Sequence, residues 1–250
     1  MEWIRQSKFL IPAAVLAVAV VFAVSVVSGL LRMSAANSLR VSSFGGRTPV
    51  IIIDPGHGGI DGGAVGAQGV LEKDLNLEIS FILRDLFALN GFEVVMTRET
   101  DVSIHDQGVE GIRRQKRSDL HNRLEFTERF TDNIFISIHQ NKFRDSSQRG
   151  TQVFYGPNHP GSELLAETVQ RNVVSMMQPG NRRQHKPGGS GLFLIYNARG
   201  PAILVEGGFL SNPEDTRNLS DPQYQAQLAF TIFGSVMEYL GMELPVSLGT

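Results

Sequence analysis

The sequence predicts an α/β fold, a mostly parallel twisted sheet with helices on both faces, preceded by one N-terminal transmembrane helix. Three observations predict it. Short β-rich apolar runs alternate with segments of helical period, the pattern of a parallel sheet wound through covering helices. The run Val50-Ile51-Ile52-Ile53 is apolar without alternation, as a strand buried on both faces must be. From Phe9 to Leu31 there is no charged residue.

That uncharged stretch is long enough to cross a hydrocarbon core of roughly 30 Å as a helix. A cleaved signal peptide needs an apolar region of only about 7 to 15 residues, so a retained anchor is expected, although Ser34-Ala35-Ala36 would pass as a cleavage site. Arg5 and Lys8 precede the span while Arg32, Arg40 and Arg47 follow it, so charge does not set its orientation. From Met33 to Thr48 the chain is rich in Ser, Asn, Arg and Gly with no apolar period, the composition of a solvated tether. The expected organisation is an anchor at 1–32, a linker at 33–48 and a catalytic domain at 49–250. With 250 residues and 42% hydrophobic content, the chain can bury one substantial core and little more.

Within the domain, Val50–Ile53 is the first strand, stopped by Asp54-Pro55-Gly56. Leu75, Ile79, Ile82, Leu83, Leu86 and Leu89 follow helical spacing, and Asn90-Gly91 ends that helix. Phe92 to Thr97 reads as a strand. Leu120, Leu124 and Phe130 mark a charged surface helix before the strand Ile134–Ile138, and Thr151 to Tyr155 is another strand. Leu165, Val169, Val173 and Met176 define a helix that Pro179-Gly180 closes; Leu192 to Tyr196 and Ile203 to Val205 read as strands. A last helix takes Ser220 as N-cap, Pro222 in its first turn, a core stripe of Leu228, Ile232, Val236 and Leu240, and Gly241 as its stop.

A net charge of -2 and a pI near 6.3 argue against a nucleic-acid partner. The absence of cysteine removes disulfides, thiolate ligands and thiol nucleophiles, so any metal must be held by imidazole and carboxylate.

Ligands of open α/β sheets collect at the carboxyl ends of strands. His57 follows the first strand, His139 directly follows Ile134–Ile138, and Glu72 lies at the start of a helix. Two imidazoles and one carboxylate suit a catalytic zinc with one coordination position left for water. Each residue also has a plain structural role open to it: His57 shaping a Gly-rich turn, Glu72 complementing a helix dipole, His139 hydrogen-bonding at a sheet edge. Glu206 closes the apolar run Ala202–Val205 ahead of Gly207-Gly208, where a proton carrier for amide hydrolysis and a loop carboxylate capping Ser211-Asn212 are both open.

Four motifs then carry a resemblance. Ile53-Asp54-Pro55-Gly56-His57-Gly58-Gly59 with Asp61-Gly62-Gly63-Ala64, Glu72-Lys73-Asp74-Leu75-Asn76-Leu77, Ser137-Ile138-His139-Gln140-Asn141, and Leu204 to Asn212 stand in order on the elements just read. Together they resemble the zinc N-acetylmuramoyl-L-alanine amidases of the amidase-3 family, over about Pro49 to Leu240. The resemblance implies a peptidoglycan substrate, cut at the amide between N-acetylmuramic acid and L-alanine. It implies that His57, Glu72 and His139 bind zinc and that Glu206 is the catalytic carboxylate. The short anchored form, Met96-Thr97-Arg98-Glu99 and the Arg-rich segment Gly111 to Asp119 look most like the membrane-anchored germination-specific branch, which prepares muramic-lactam in spore cortex. That places the catalytic domain on the cell-wall side of the membrane.

Lys142 departs from the family, which more often has a small residue there. Asp54 either holds the second nitrogen of His57 or only forms the turn before Pro55; Asn141 bonds either substrate or its own turn. Arg182, Arg183, His185 and Lys186 form a loop that either meets stem-peptide carboxylates or is simply solvated. His105, His121 and His159 receive no role. Phe143 to Gly150 is too short for the inserted helix that plugs the zinc in some family members. A silent wall-binding protein of the same fold, and a zinc peptidase acting on the stem peptide, are the rival readings.

Overall fold

The computed structural model describes residues 48–66 and 69–242; the expected membrane span and tether lie outside the described residues. No described helix is long and apolar enough to cross a membrane. Six strands, β1 (Val50–Pro55), β2 (Val94–Met96), β3 (Asn133–Asn141), β4 (Gln152–Tyr155), β5 (Lys186–Pro187) and β6 (Ala202–Phe209), form one sheet in the order β2-β1-β3-β6-β4-β5. The ladders β1–β2, β1–β3, β3–β6 and β4–β5 are parallel, and β4–β6 is antiparallel. The sheet is therefore mixed, with its one reversal at β4.

The helices are α1 (Glu72–Leu89), α2 (Ile112–Glu128), α3 (Gly161–Met176), α4 (Phe193–Asn197), α5 (Pro213–Leu219) and α6 (Pro222–Leu240). Helices α1, α6 and α3 pack on one another as a layer. Beneath the opposite face, Ile52, Phe135, Ala202 and Leu204 meet Leu194 and Ile195 of α4, with Leu124 and Phe126 of α2 packed against them. Both faces of the central strands are thus covered, so Ile51, Ile52, Ile53, Ile134, Phe135 and Ile136 are all buried.

Several elements differ from expectation for identifiable reasons. Leu192 to Tyr196 is not a strand, since Phe193–Asn197 is helical. A five-residue apolar run carries too little periodicity to choose, and burial of the adjacent pair Leu194 and Ile195 suits a helical turn. In α1 the buried stripe is Leu75, Ile79, Leu83 and Phe87, and Leu89 points to solvent at 85% exposure. Asp221, not Ser220, caps α6, accepting from the Gln223 amide at 2.9 Å, while Ser220 ends α5. Helix α5 itself was not anticipated. The Asn212 side chain starts it by accepting from the Glu214 and Asp215 amides, with Pro213 at its first position. Gly241 stops α6 as expected, in the left-handed conformation.

Helix α2 inverts the usual logic of an amphipathic helix, because the residues it buries are Asp119, Arg123 and Thr127. Arg123 and Asp54 have side chains only 2% and 0% exposed and meet at 2.7 Å. Arg123 also donates to Asp119 Oδ2 at 2.7 Å and to the carbonyls of Pro55 and His57 at 2.9 and 2.6 Å. Thr97 and Ser137 donate to the two oxygens of Asp54, both at 2.6 Å. Asp54 is thus an anchor for α2 and its neighbouring strands, and does not hold His57.

Burial alone would raise the Asp54 carboxyl, but Arg123 and the two hydroxyls hold it below the usual 3.8. A folded value below the unfolded one means that the stabilisation is complete above pH 3.8 and is lost as pH falls further. Asp54→Asn should strand the Arg123 charge and cost about 3–5 kcal/mol in urea unfolding. The same variant should lose part of the acid sensitivity expected of the native protein below pH 3.8. An unchanged unfolding midpoint would mean that the pair does not anchor the fold.

Candidate metal centre

Side chains of one parity along β1, β3 and β6 grade from apolar to polar toward the carboxyl edge. Ile52, Phe135 and Ala202 give way to Asp54, Ser137 and Leu204, and then to His139 and Glu206. The ladder that pairs His139 with Glu206 extends both strands beyond their expected ends, so each residue lies within its strand. A register irregularity between His139 and Asn141 follows directly.

His57 enters from the turn after β1 with φ at 63°, a left-handed conformation that a non-glycine residue adopts at a cost of order 1–3 kcal/mol. Arg123 grips its carbonyl from below. Arg98, named in the sequence but given no role, holds the preceding turn by donating to the carbonyls of Pro55 and Gly56 at 2.9 and 3.1 Å. The second nitrogen of His57 is held by Asp61, at 2.9 Å from Nδ1, and Lys116 of α2 holds the other Asp61 oxygen at 2.7 Å. Asp61 is the orienting carboxylate that sequence reading missed, although the i,i+4 spacing to His57 was visible.

Glu72 opens α1 with its side chain buried. Oε1 lies 3.1 Å from His57 Nε2 and 3.0 Å from His139 Nδ1, and it accepts from the Gln140 amide at 3.0 Å. Oε2 accepts from the Ala64 amide at 2.7 Å. Two glycines make room. A Cβ on Gly56 would collide with the His139 ring, and one on Gly63 (φ 67°) would sit 2.6 Å from Glu72 Oε2. One ligand atom from each of His57, Glu72 and His139 lies within 4.8 Å of the others. The two imidazole rings stand edge to face with centroids 4.9 Å apart. Their side chains remain 23% and 21% exposed, so the cluster is reachable from solvent.

Electrostatics favours a cation here. Burial works against charge on His57, but Asp61 and Glu72 overcome it and raise the imidazole to about 9. Burial likewise opposes charge on Glu72, yet the two imidazoles hold it well below the usual carboxylate range. Glu206 behaves oppositely: burial and the nearby Glu72 push it up to about 7 against the pull of the imidazoles. Its Oε2 is buried with no hydrogen-bond partner among the described residues. Two imidazoles, one carboxylate and an orphaned carboxylate oxygen beside them fit a divalent cation with an ordered polar occupant.

The remaining candidates separate clearly. The Asn141 carbonyl accepts from the Leu210 amide at 2.7 Å, tying β3 to the end of β6. Lys142 donates to the Val65 carbonyl at 2.9 Å, strapping the end of β3 to the loop that carries Ala64. The segment between β3 and β4 holds no helix. Arg183 belongs to a separate cavity, and His105, His121 and His159 lie outside the cluster.

Residues 51–238 match the family model described as N-acetylmuramoyl-L-alanine amidase. The germination-specific N-acetylmuramoyl-L-alanine amidase of Bacillus subtilis is 36% identical over 190 residues, covering 76% of this chain and 79% of that protein. The CwlD amidase of Clostridioides difficile, solved in complex with the GerS lipoprotein, is 35% identical with a TM-score of 0.74, over 77% of this chain and 98% of that one. The catalytic domain of the amidase CwlV from Bacillus (Paenibacillus) polymyxa is 29% identical with a TM-score of 0.64, over 78% and 99%.

Asp61 should matter to metal affinity without touching the metal. With zinc titrated as the probe cation, Asp61→Ala should bind it about 10–100-fold more weakly than the native chain by calorimetry while keeping a native circular dichroism spectrum. Unaltered affinity would show that the His57 ring needs no such support.

Proposed function

The chain belongs to the N-acetylmuramoyl-L-alanine amidases, and from that premise we propose that it hydrolyses its peptidoglycan amide with a zinc ion held by His57, Glu72 and His139. The observation that carries this reading is the convergence of those three donors beside a buried, raised glutamate. Zinc bound there supplies Lewis acidity to the scissile carbonyl and to the attacking water. Glu206 takes the proton that water loses as its oxygen adds to the carbonyl carbon, and returns it to the leaving nitrogen as the C–N bond breaks. A carboxyl poised near neutrality suits both transfers, and burial keeps that proton from bulk solvent. Asp61 fixes which nitrogen His57 presents, while Arg98 and Arg123 keep its turn from relaxing.

The uncharged stretch Phe9 to Leu31 supports an anchor at 1–32 and a tether at 33–48, which would hold the catalytic domain 49–250 against the wall on the outer side of a membrane. Likeness to a germination-specific relative supports spore cortex as the substrate and muramic-lactam formation as the purpose. The lipoprotein complex of CwlD makes an accessory protein a reasonable partner for an anchored amidase.

The full-length chain in detergent should bind one zinc ion, and His57→Ala or His139→Ala should abolish tight binding. Stoichiometric zinc in both variants after mild chelation would overturn the ligand set. Glu206→Gln should keep its zinc and lose about 10²-fold or more in turnover. Mass analysis of digested peptidoglycan should show intact stem peptide freed from muramic acid. Shortened peptides would favour a peptidase, and no cleavage a binding protein.

A further inference from the structure

The polar row at the carboxyl edge continues past Glu206. Gln152 of β4 is paired with Glu206 in the antiparallel ladder, so the two side chains stand on the same face of the sheet. Arg183 Nη1 donates to Gln152 Oε1 at 3.2 Å. His139, Glu206, Gln152 and Arg183 therefore run in sequence across β3, β6 and β4 to the loop before β5. There a cavity of about 600 Å³ opens, walled by Arg149, Arg182, Arg183, Glu214, Asp215 and Tyr224 among others.

Its floor is tied directly to the catalytic strand. Gln178 Nε2 donates to the Tyr224 hydroxyl at 2.6 Å and to Thr151 Oγ1 at 2.8 Å, and Thr151 donates in turn to the carbonyl of Gly207 at 2.8 Å. Gly207 is the residue after Glu206. Arg183 is locked in place by the Arg149 carbonyl at 2.9 Å and Gln148 Oε1 at 2.8 Å, with its guanidinium 4.3 Å above the Phe209 ring.

The charges in this cavity do not cancel. Glu214 is answered by Arg149 at 3.1 Å, and Asp215 accepts from the backbone amides of Gly150 and Phe209 at 2.9 and 2.8 Å. Arg183 bonds only neutral oxygens, and exposed Arg182 has no partner among the described residues. Three guanidiniums face two carboxylates, so one positive charge is in excess, and Arg182 and Arg183 are the two arginines outside any ion pair among the described residues, with Gln152 standing between Arg183 and Glu206. In a muramoyl peptide the sugars are neutral and the lactyl carboxyl is consumed in the scissile amide, so the free carboxylates all lie on the peptide.

We infer that this cavity is a stem-peptide subsite in which Arg182 and Arg183 receive a peptide carboxylate, an assignment that rests on the amidase reading of the adjoining centre. It gives the Arg182 to Lys186 loop a role in holding the substrate and places the peptide on the β4 side of Glu206.

The test titrates the free peptide L-Ala-γ-D-Glu-diaminopimelate into zinc-loaded full-length protein by calorimetry. Saturable binding is expected, weakened about tenfold or more by Arg182→Glu. Arg117→Glu, the same charge change on the exposed part of α2, should shift it by less than about twofold. Absence of saturable binding, equal weakening by both variants, or an equally tight response to inorganic phosphate would overturn the subsite. A second arm compares hydrolysis of the muramoyl tripeptide with that of muramoyl-L-alanine, and Arg182→Glu should narrow the preference for the longer substrate about tenfold. An undiminished preference would also overturn the subsite. Protein that binds the peptide but cleaves neither substrate would instead overturn the amidase reading and leave the subsite standing.

Discussion

The buried pair of Asp54 and Arg123 is the constraint on which the architecture depends. A guanidinium removed from water is tolerable only when nearly all its donors are used, and Arg123 spends them on Asp54, Asp119 and the carbonyls of Pro55 and His57. One side chain thereby fixes α2 to the sheet and fixes the turn that leaves β1. That turn is the part of the fold least able to hold itself, because His57 sits in a left-handed conformation flanked by glycines. A hydrophobic contact could have docked α2 equally well. It could not have gripped two backbone carbonyls and so set the direction of the histidine.

Around that turn the polar chemistry is layered. Carboxylates and hydroxyls deep in the sheet hold the frame, Asp61 and the Ala64 and Gln140 amides orient His57 and Glu72, and His57, Glu72 and His139 converge with Glu206 beside them. The opposing shifts of Glu72 and Glu206 follow from burial weighed against what stands next to each carboxylate. Glu72 lies between two imidazoles and remains ionised, whereas Glu206 has burial and another carboxylate acting on it and holds its proton more tightly. Two glutamates of identical chemistry are thus set apart, one kept ionised and one held closer to its neutral form, the division of labour that the proposed mechanism uses.

The mixed sheet explains where a substrate can lie. Reversal at β4 brings the start of that strand, and the loops that lead into β4 and β5, to the same edge as the carboxyl ends of β1, β3 and β6. A fully parallel sheet would have put helix-forming connections there. A charged cavity lies along those loops, and the hydrogen-bond chain through Gln178, Thr151 and Gly207 couples its floor to β6.

Much of this was legible from residues alone, because strands buried on both faces need unbroken apolar runs and chemistry at strand ends must interrupt them with polar residues. Hence β1, β3 and β6, the long helices, and His57, Glu72, His139 and Glu206 all stood out. What sequence left open was decided by contacts between distant segments. The run 192–196 became helical because its neighbours offered a face for two adjacent side chains, not an edge for a ladder. Arg123 read as one more charge on a surface helix, since nothing local says that Asp54, 69 residues earlier, lies beneath it. Asp54 looked as suitable as Asp61 to orient His57, and only the path of the turn chose between them. The sequence by itself determined which groups carry the chemistry, because residue type sets what a side chain can donate, accept or ligate. Tertiary structure alone decided which of them meet, because hydrogen bonds and ion pairs act over a few ångströms that sequence separation does not measure.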